Sequence, residues 1–97
     1  MFRQITYTHV ESDAGFSLKS GSRDFWIYSE GKREIYVTRE ALHAARDDAS
    51  EAIYLSALPD CWAPPNNIYA ISQAKREEIA ANVQAALQFL GVKFRIE

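Results

Sequence analysis

The chain has 97 residues, 47% of them hydrophobic and 25% charged, and a net charge of −2. This is the size of one domain with a single core, and the composition is globular, not disordered or fibrous. No apolar run approaches the roughly 18 residues of a membrane span, and the N-terminus lacks the apolar centre of a signal peptide. Cys61 is the lone cysteine, which excludes an internal disulfide, so a cytosolic location is expected.

Phe2–His9 predicts a first strand with Phe2, Gln4, Thr6 and Thr8 on one face and Arg3, Ile5, Tyr7 and His9 on the other, followed by a turn at Glu11–Gly15. Phe16–Lys19 predicts a short strand and Ser20–Ser22 a tight turn. The strongest strand signal is Asp24–Thr38. Phe25–Tyr28 and Ile35–Val37 are β-branched or aromatic throughout, with a polar turn carrying Gly31 between them. That pattern predicts a hairpin. Alternation sends Phe25 and Ile27 to one face and Trp26 and Tyr28 to the other, so both faces need cover or a partner.

Thr38 is a candidate N-cap for a short helix over Arg39–Arg46, with Ala41, Leu42, Ala45 and Ala49 along one stripe. Asp47 and Asp48 would fall at its carbonyl end, an unfavourable place for acids and therefore a place where function can override local rules. Ala52–Leu55 predicts a strand, and Asp60–Asn67 a loop stiffened by Pro64 and Pro65 that holds Trp62. Ser72 caps a long helix, Gln73–Leu90. Its apolar stripe is Ile79, Val83, Ala86, Leu87 and Leu90, and Gly91 stops it. Val92–Ile96 closes the chain as a strand with Val92, Phe94 and Ile96 inward. The fold class is α+β: a mostly antiparallel sheet of about five strands, a short helix, and a long C-terminal helix packed on the sheet.

Charge is unevenly spread. Between Glu40 and Asp60 a single base, Arg46, stands against Glu40, Asp47, Asp48, Glu51 and Asp60, a net of −4. An acidic centre favours a basic partner and disfavours nucleic acid on that surface. Cys61 with His43 or His9 has the residue types of a nucleophile pair, but nothing in the spacing unites them. Two histidines and one thiol have no metal-ligand spacing. The four glycines are scattered, so no phosphate loop exists. Adjacent Asp47 and Asp48 diverge on a helix or a loop, unlike the carboxylates of a catalytic dyad, and read as a solvated loop or as a binding epitope. Trp26, Tyr28 and Tyr36 among Lys19, Arg23, Lys32 and Arg33 allow a nucleic-acid-binding module that stacks bases on a sheet face. The competing reading buries these aromatics under a helix. Trp62 is either core or an interface anchor.

The order is meander, short helix, strand, Trp-x-Pro-Pro loop, long helix and final strand. The loop and helix start read Cys61-Trp-Ala-Pro-Pro-Asn-Asn-Ile-Tyr-Ala-Ile-Ser-Gln-Ala-Lys-Arg-Glu-Glu-Ile. From Phe16 onward this resembles the small immunity proteins of bacterial polymorphic-toxin and contact-dependent growth-inhibition systems. The resemblance implies a non-enzymatic inhibitor without cofactor or metal, made in the cytosol. Its implied partner is the C-terminal domain of a cognate toxin, in many cases a tRNase or DNase with a basic cleft. The family brings no catalytic residues. Candidate toxin contacts are Asp47, Asp48, Glu51 and Asp60 for charge, with Tyr54 and Trp62 as anchors. The nucleic-acid-binding module is the alternative.

Overall fold

The computed structural model describes residues 1–42 and 49–97. Seven strands form one sheet in the order of the chain: β1 (Phe2–Thr6), β2 (His9–Ser12), β3 (Ser17–Ser22), β4 (Phe25–Glu30), β5 (Arg33–Ala41), β6 (Glu51–Ile53) and β7 (Phe94–Ile96). Every neighbouring pair is antiparallel except β6 and β7, which run parallel. Helix α1 (Gln73–Leu90) makes the crossover between those two, as a parallel pair requires. A 3-10 turn at Leu55–Ala57 follows β6. Among the described residues no helix is long and apolar enough to cross a membrane.

The predicted hairpin is the centre of the sheet. Phe25 pairs with Thr38, Trp26 with Val37, Ile27 with Tyr36 and Tyr28 with Ile35. Gly31 turns it at φ 62°, a left-handed value that a two-residue hairpin loop demands and that other residues resist. Trp26, Tyr28, Ile35 and Val37 are fully buried with Val10 and Leu18 on the face that α1 covers. From α1, Ile79, Val83, Ala86 and Leu87 meet them, and each large side chain so buried contributes about 1.5–3 kcal/mol. The helix ends are as predicted. Ser72 Oγ accepts from the Lys75 N–H at 3.1 Å, and Gly91 stops the helix at φ 78°.

Several local expectations are overturned. The first strand breaks at Tyr7–Thr8 into β1 and β2, and Glu11–Ser12 is the end of β2, not a turn. Ser20–Ser22 is not a turn but the end of β3. A shift in register between Ser20 and Ser22 takes up an extra residue there, and the chain reverses at Arg23–Asp24. The helix predicted over Arg39–Arg46 does not begin at Arg39, where the chain is still strand. Thr38 pairs with Phe25, and Arg39–Ala41 continues β5 against β6. Pairing with Ile53, Ala52 and Glu51 outweighs a weak helical preference in a segment this short. His43, Arg46, Asp47 and Asp48 lie outside the described residues. The strand predicted over Ala52–Leu55 is shifted to Glu51–Ile53, and its last residue enters the 3-10 turn.

A polar cluster pins α1 to β4. The Tyr28 hydroxyl donates to Glu30 and accepts from Asn82 Nδ2 at 3.0 Å. Lys75 bridges to Glu30 at 2.8 Å and also pairs with Glu78. Burial first, and then the Glu30 carboxylate, push the Tyr28 phenol far above the usual tyrosine range. The folded state therefore favours the neutral phenol. Below the ordinary value of 10.0 that contribution is complete; above it the unfolded chain ionises first and stability declines. Urea midpoints should fall as pH rises past this value, and Tyr28→Phe should flatten the fall. An equal slope in both proteins would show that Tyr28 stays ionisable in the fold.

A candidate protein-binding surface

Of the six residues expected to touch a partner, Asp47 and Asp48 lie outside the described residues, and the other four are dispersed by the fold. Glu51 is turned inward and buried. Its Oε1 accepts from the Trp26 indole N–H at 2.7 Å, and its Oε2 from Arg39 Nη2 at 2.8 Å. Arg39 lies over the Trp26 ring, 4.2 Å from its centroid, and its Nη1 donates to Ser20 Oγ at 2.9 Å. Every polar edge of Glu51 that faces the protein is thus engaged, and it offers no charge to a partner. Trp62 is 3% exposed and belongs to the core, settling its two readings in favour of packing.

The loop around Trp62 is a lid on the hairpin. The Ala63 N–H donates to the Glu34 carbonyl at 2.7 Å, and Asn66 Nδ2 donates to the Lys32 carbonyl at 3.2 Å. Arg33 sits over the Tyr69 ring at 4.2 Å. The Pro64–Pro65 peptide is cis. Asp60 lies at the foot of this loop, its carboxylate exposed and 3.4 Å from Arg76. Cys61 is bridged to Ala70 there. His9 is on β2, with β3 and β4 between it and the hairpin strand that the loop joins. The structure does not bring the thiol and this histidine together.

Tyr54 and Glu40 do come together. The Tyr54 hydroxyl donates to Glu40 Oε1 at 3.2 Å, and its backbone N–H donates to the Thr38 carbonyl at 3.0 Å. The carboxylate beside it raises the Tyr54 phenol above its usual range. These residues line a groove of about 650 Å³ with Arg23, Asp24 and Ala57.

The groove opens onto the sheet face away from α1. Along β5 that face carries Glu34, Tyr36, Thr38 and Glu40 at alternate positions, opposite the buried Ile35 and Val37. Tyr36 is 50% exposed, and its ring lies 4.9 Å from that of Phe25 on β4. Phe25 in turn covers Gly21: a Cβ there would fall 2.3 Å from its ring. The result is one strip of two touching aromatic rings, a threonine, and the Glu40–Tyr54 pair, with Asp24 at its end. Sequence reasoning placed Phe25 and Trp26 on opposite faces and named Tyr54, which lies in this strip, but did not name Phe25 or Tyr36 for contact with a protein partner. The signal was the alternation itself: across the hairpin it puts Phe25 and Tyr36 on one face and Trp26 and Tyr28 on the other, and the helix takes the second.

Compared with family models, with curated proteins and with solved structures, the chain finds no match. The strip and the groove therefore stand on their own chemistry. Tyrosine with neighbouring carboxylates supplies large, rigid contact area and a charge preference, the combination that marks binding hot spots for basic partners.

Removing one member of the buried trio is expected to be costly. Arg39→Ala leaves the Glu51 carboxylate with the indole N–H and no cation, a loss of about 3–5 kcal/mol for a broken buried pair. Tyr54→Phe removes only the solvent-exposed bond to Glu40 and should leave stability nearly unchanged. Urea unfolding of both variants would test the contrast. Equal stabilities would mean that Glu51 is hydrated rather than held.

Proposed function

We propose that the protein is a non-enzymatic inhibitor that binds and neutralises a cognate bacterial toxin domain, a nuclease with a basic cleft, in contact-dependent growth inhibition. The observation that carries this reading is the aromatic and acidic strip on the open sheet face, Phe25–Tyr36 running into Glu40–Tyr54. The acidic stretch Glu40–Asp60 supports it, since complementary charge speeds capture of a basic partner. So does the pattern of strand meander, Trp-x-Pro-Pro loop and capped helix that the sequence shares with immunity proteins.

The rival base-stacking reading loses its main platform. Trp26 and Tyr28 are 1% and 0% exposed, under the helix, so Tyr36 alone of the three remains to stack a base. Lys19 and Arg23 are exposed near it, but Glu34, Glu40 and Asp24 share that side.

The reading expects a large secreted protein to be encoded immediately upstream, and the test uses the C-terminal domain of that protein. In a surface-binding assay at two salt concentrations, the wild-type chain should bind it and protect cells that express it. Tyr36→Ala should speed dissociation about tenfold as a lost anchor. Glu40→Lys should slow association and weaken its salt dependence, as should reversal of Asp47 and Asp48. A neighbouring domain that is harmless to cells, or bound equally by all these variants, would overturn the reading. In filter binding, single-stranded RNA should show no salt-sensitive retention.

A further inference from the structure

The groove beside Tyr54 lacks one positive charge. Most of the ions around it are already matched. Arg39 is held by Glu51 at 2.8 Å, and Arg23 and Asp24 are 4.0 Å apart. Arg95 and Glu97, close enough to act on the Tyr54 phenol, are 2.7 Å apart. Glu40 differs. It is exposed, and among the described residues its partner is the Tyr54 hydroxyl, a neutral group. That bond also favours the protonated phenol, so the pair keeps the whole charge of one carboxylate.

The pair offers acceptors and no spare donor. The single hydroxyl proton of Tyr54 is committed to Glu40 Oε1, which leaves the phenol oxygen with a lone pair and Glu40 with its second oxygen. The groove beside them is walled by Thr38, Ala41 and Ala57, residues small enough to leave room for an alkyl stem within about 650 Å³. It is continuous with the ring pair. Thr38 stands opposite Phe25 in the hairpin, and between Tyr36 and Glu40 along β5. A macromolecule that covers the rings reaches the groove without leaving the strip.

We propose that the groove receives one arginine side chain of the protein partner, its guanidinium on Glu40 and Tyr54 and its stem along the groove. This rests on the inhibitor reading and names the group on the partner that the surface selects. The unmatched carboxylate calls for a single cation. Neighbouring acceptors on Glu40 and Tyr54 suit the planar fork of a guanidinium, which bonds two acceptors at once, better than an ammonium, which is a point charge. The phenol ring adds its own attraction for a cation. A bare metal ion is disfavoured, because a carboxylate and a phenol do not make an oxygen cage.

A double-mutant cycle in the complex tests this. The partner is the same upstream domain, with each of its exposed arginines replaced in turn by glutamine. Glu40→Gln should weaken binding about tenfold, and so should the replacement of one particular arginine; the two together should cost no more than either alone. Lysine at that arginine should leave binding weakened about threefold. Tyr54→Phe should weaken binding of the arginine form and not of the lysine form. Urea midpoints of Glu40→Gln and Tyr54→Phe should match the parent, which separates a lost contact from lost folding. If Glu40→Gln binds as tightly as the parent while Tyr36→Ala dissociates faster, the arginine proposal is overturned and the inhibitor reading stands. The same holds if every arginine replacement is additive with Glu40→Gln. A domain that does not bind the parent chain overturns both.

Discussion

The carboxylate of Glu51, held between the indole of Trp26 and the guanidinium of Arg39, fixes how the two halves of the sheet join. Trp26 belongs to the central hairpin, Arg39 to the far end of its second strand, and Glu51 to β6. The trio sits where β5 leaves one neighbour, β4, and takes up the other, β6. A buried ion pair adds little net stability over apolar residues of the same size. What it supplies here is register. Sliding β6 by one residue would turn the carboxylate to solvent and strand the guanidinium over the indole. The same contact closes the base of the chain between Leu42 and Ser50, whose backbones are joined at 2.9 Å.

Covering one face of the hairpin decides what the other can do. Helix α1 and the Trp62 loop take the face of Trp26, Tyr28, Ile35 and Val37. The remaining face inherits Phe25, Ile27 and Tyr36, more apolar than an ordinary solvated surface, beside the groove that Glu40 and Tyr54 line. Gly21 is part of this arrangement, since the Phe25 ring rests where any other side chain would begin. An aromatic pair laid flat on a rigid sheet loses little entropy when it is covered, which suits a surface made to meet another macromolecule.

Much of the fold was legible because its signals were local. Ser72, the Ile79–Leu87 stripe and Gly91 define a helix with both ends marked. Gly31 between two β-branched and aromatic runs defines a hairpin. Arg39–Ala41 was misread because alanine, leucine and a threonine cap speak for a helix within a few residues, whereas the pairing that wins involves Ile53, Ala52 and Glu51, a dozen positions on. The site was less legible for a related reason. An acidic residue in a charged stretch reads as surface, and only the arrival of Arg39 from β5 and Trp26 from β4 takes Glu51 inside. Trp62 allows two readings in sequence because the contacts that bury it, the loop's bonds to the Glu34 and Lys32 carbonyls, come from the hairpin around Gly31, far back in the chain.

The parallel pairing of β6 with β7 has a consequence for the order in which the molecule can assemble. The strands from β1 to β5 meet through short reversals, so they can zip together as neighbours along the chain. Strand β6 finds its second neighbour only after the whole of α1 has been laid across the sheet, when the Glu97 N–H reaches the Ile53 carbonyl at 2.8 Å and the Ser50 N–H reaches that of Lys93. Until then the strand that carries Glu51 is open on one side, and its partly desolvated carboxylate is shielded from only one direction. A chain cut before Phe94 would therefore lose more than its outermost strand: it would expose the flank of the charge on which the register of the sheet rests.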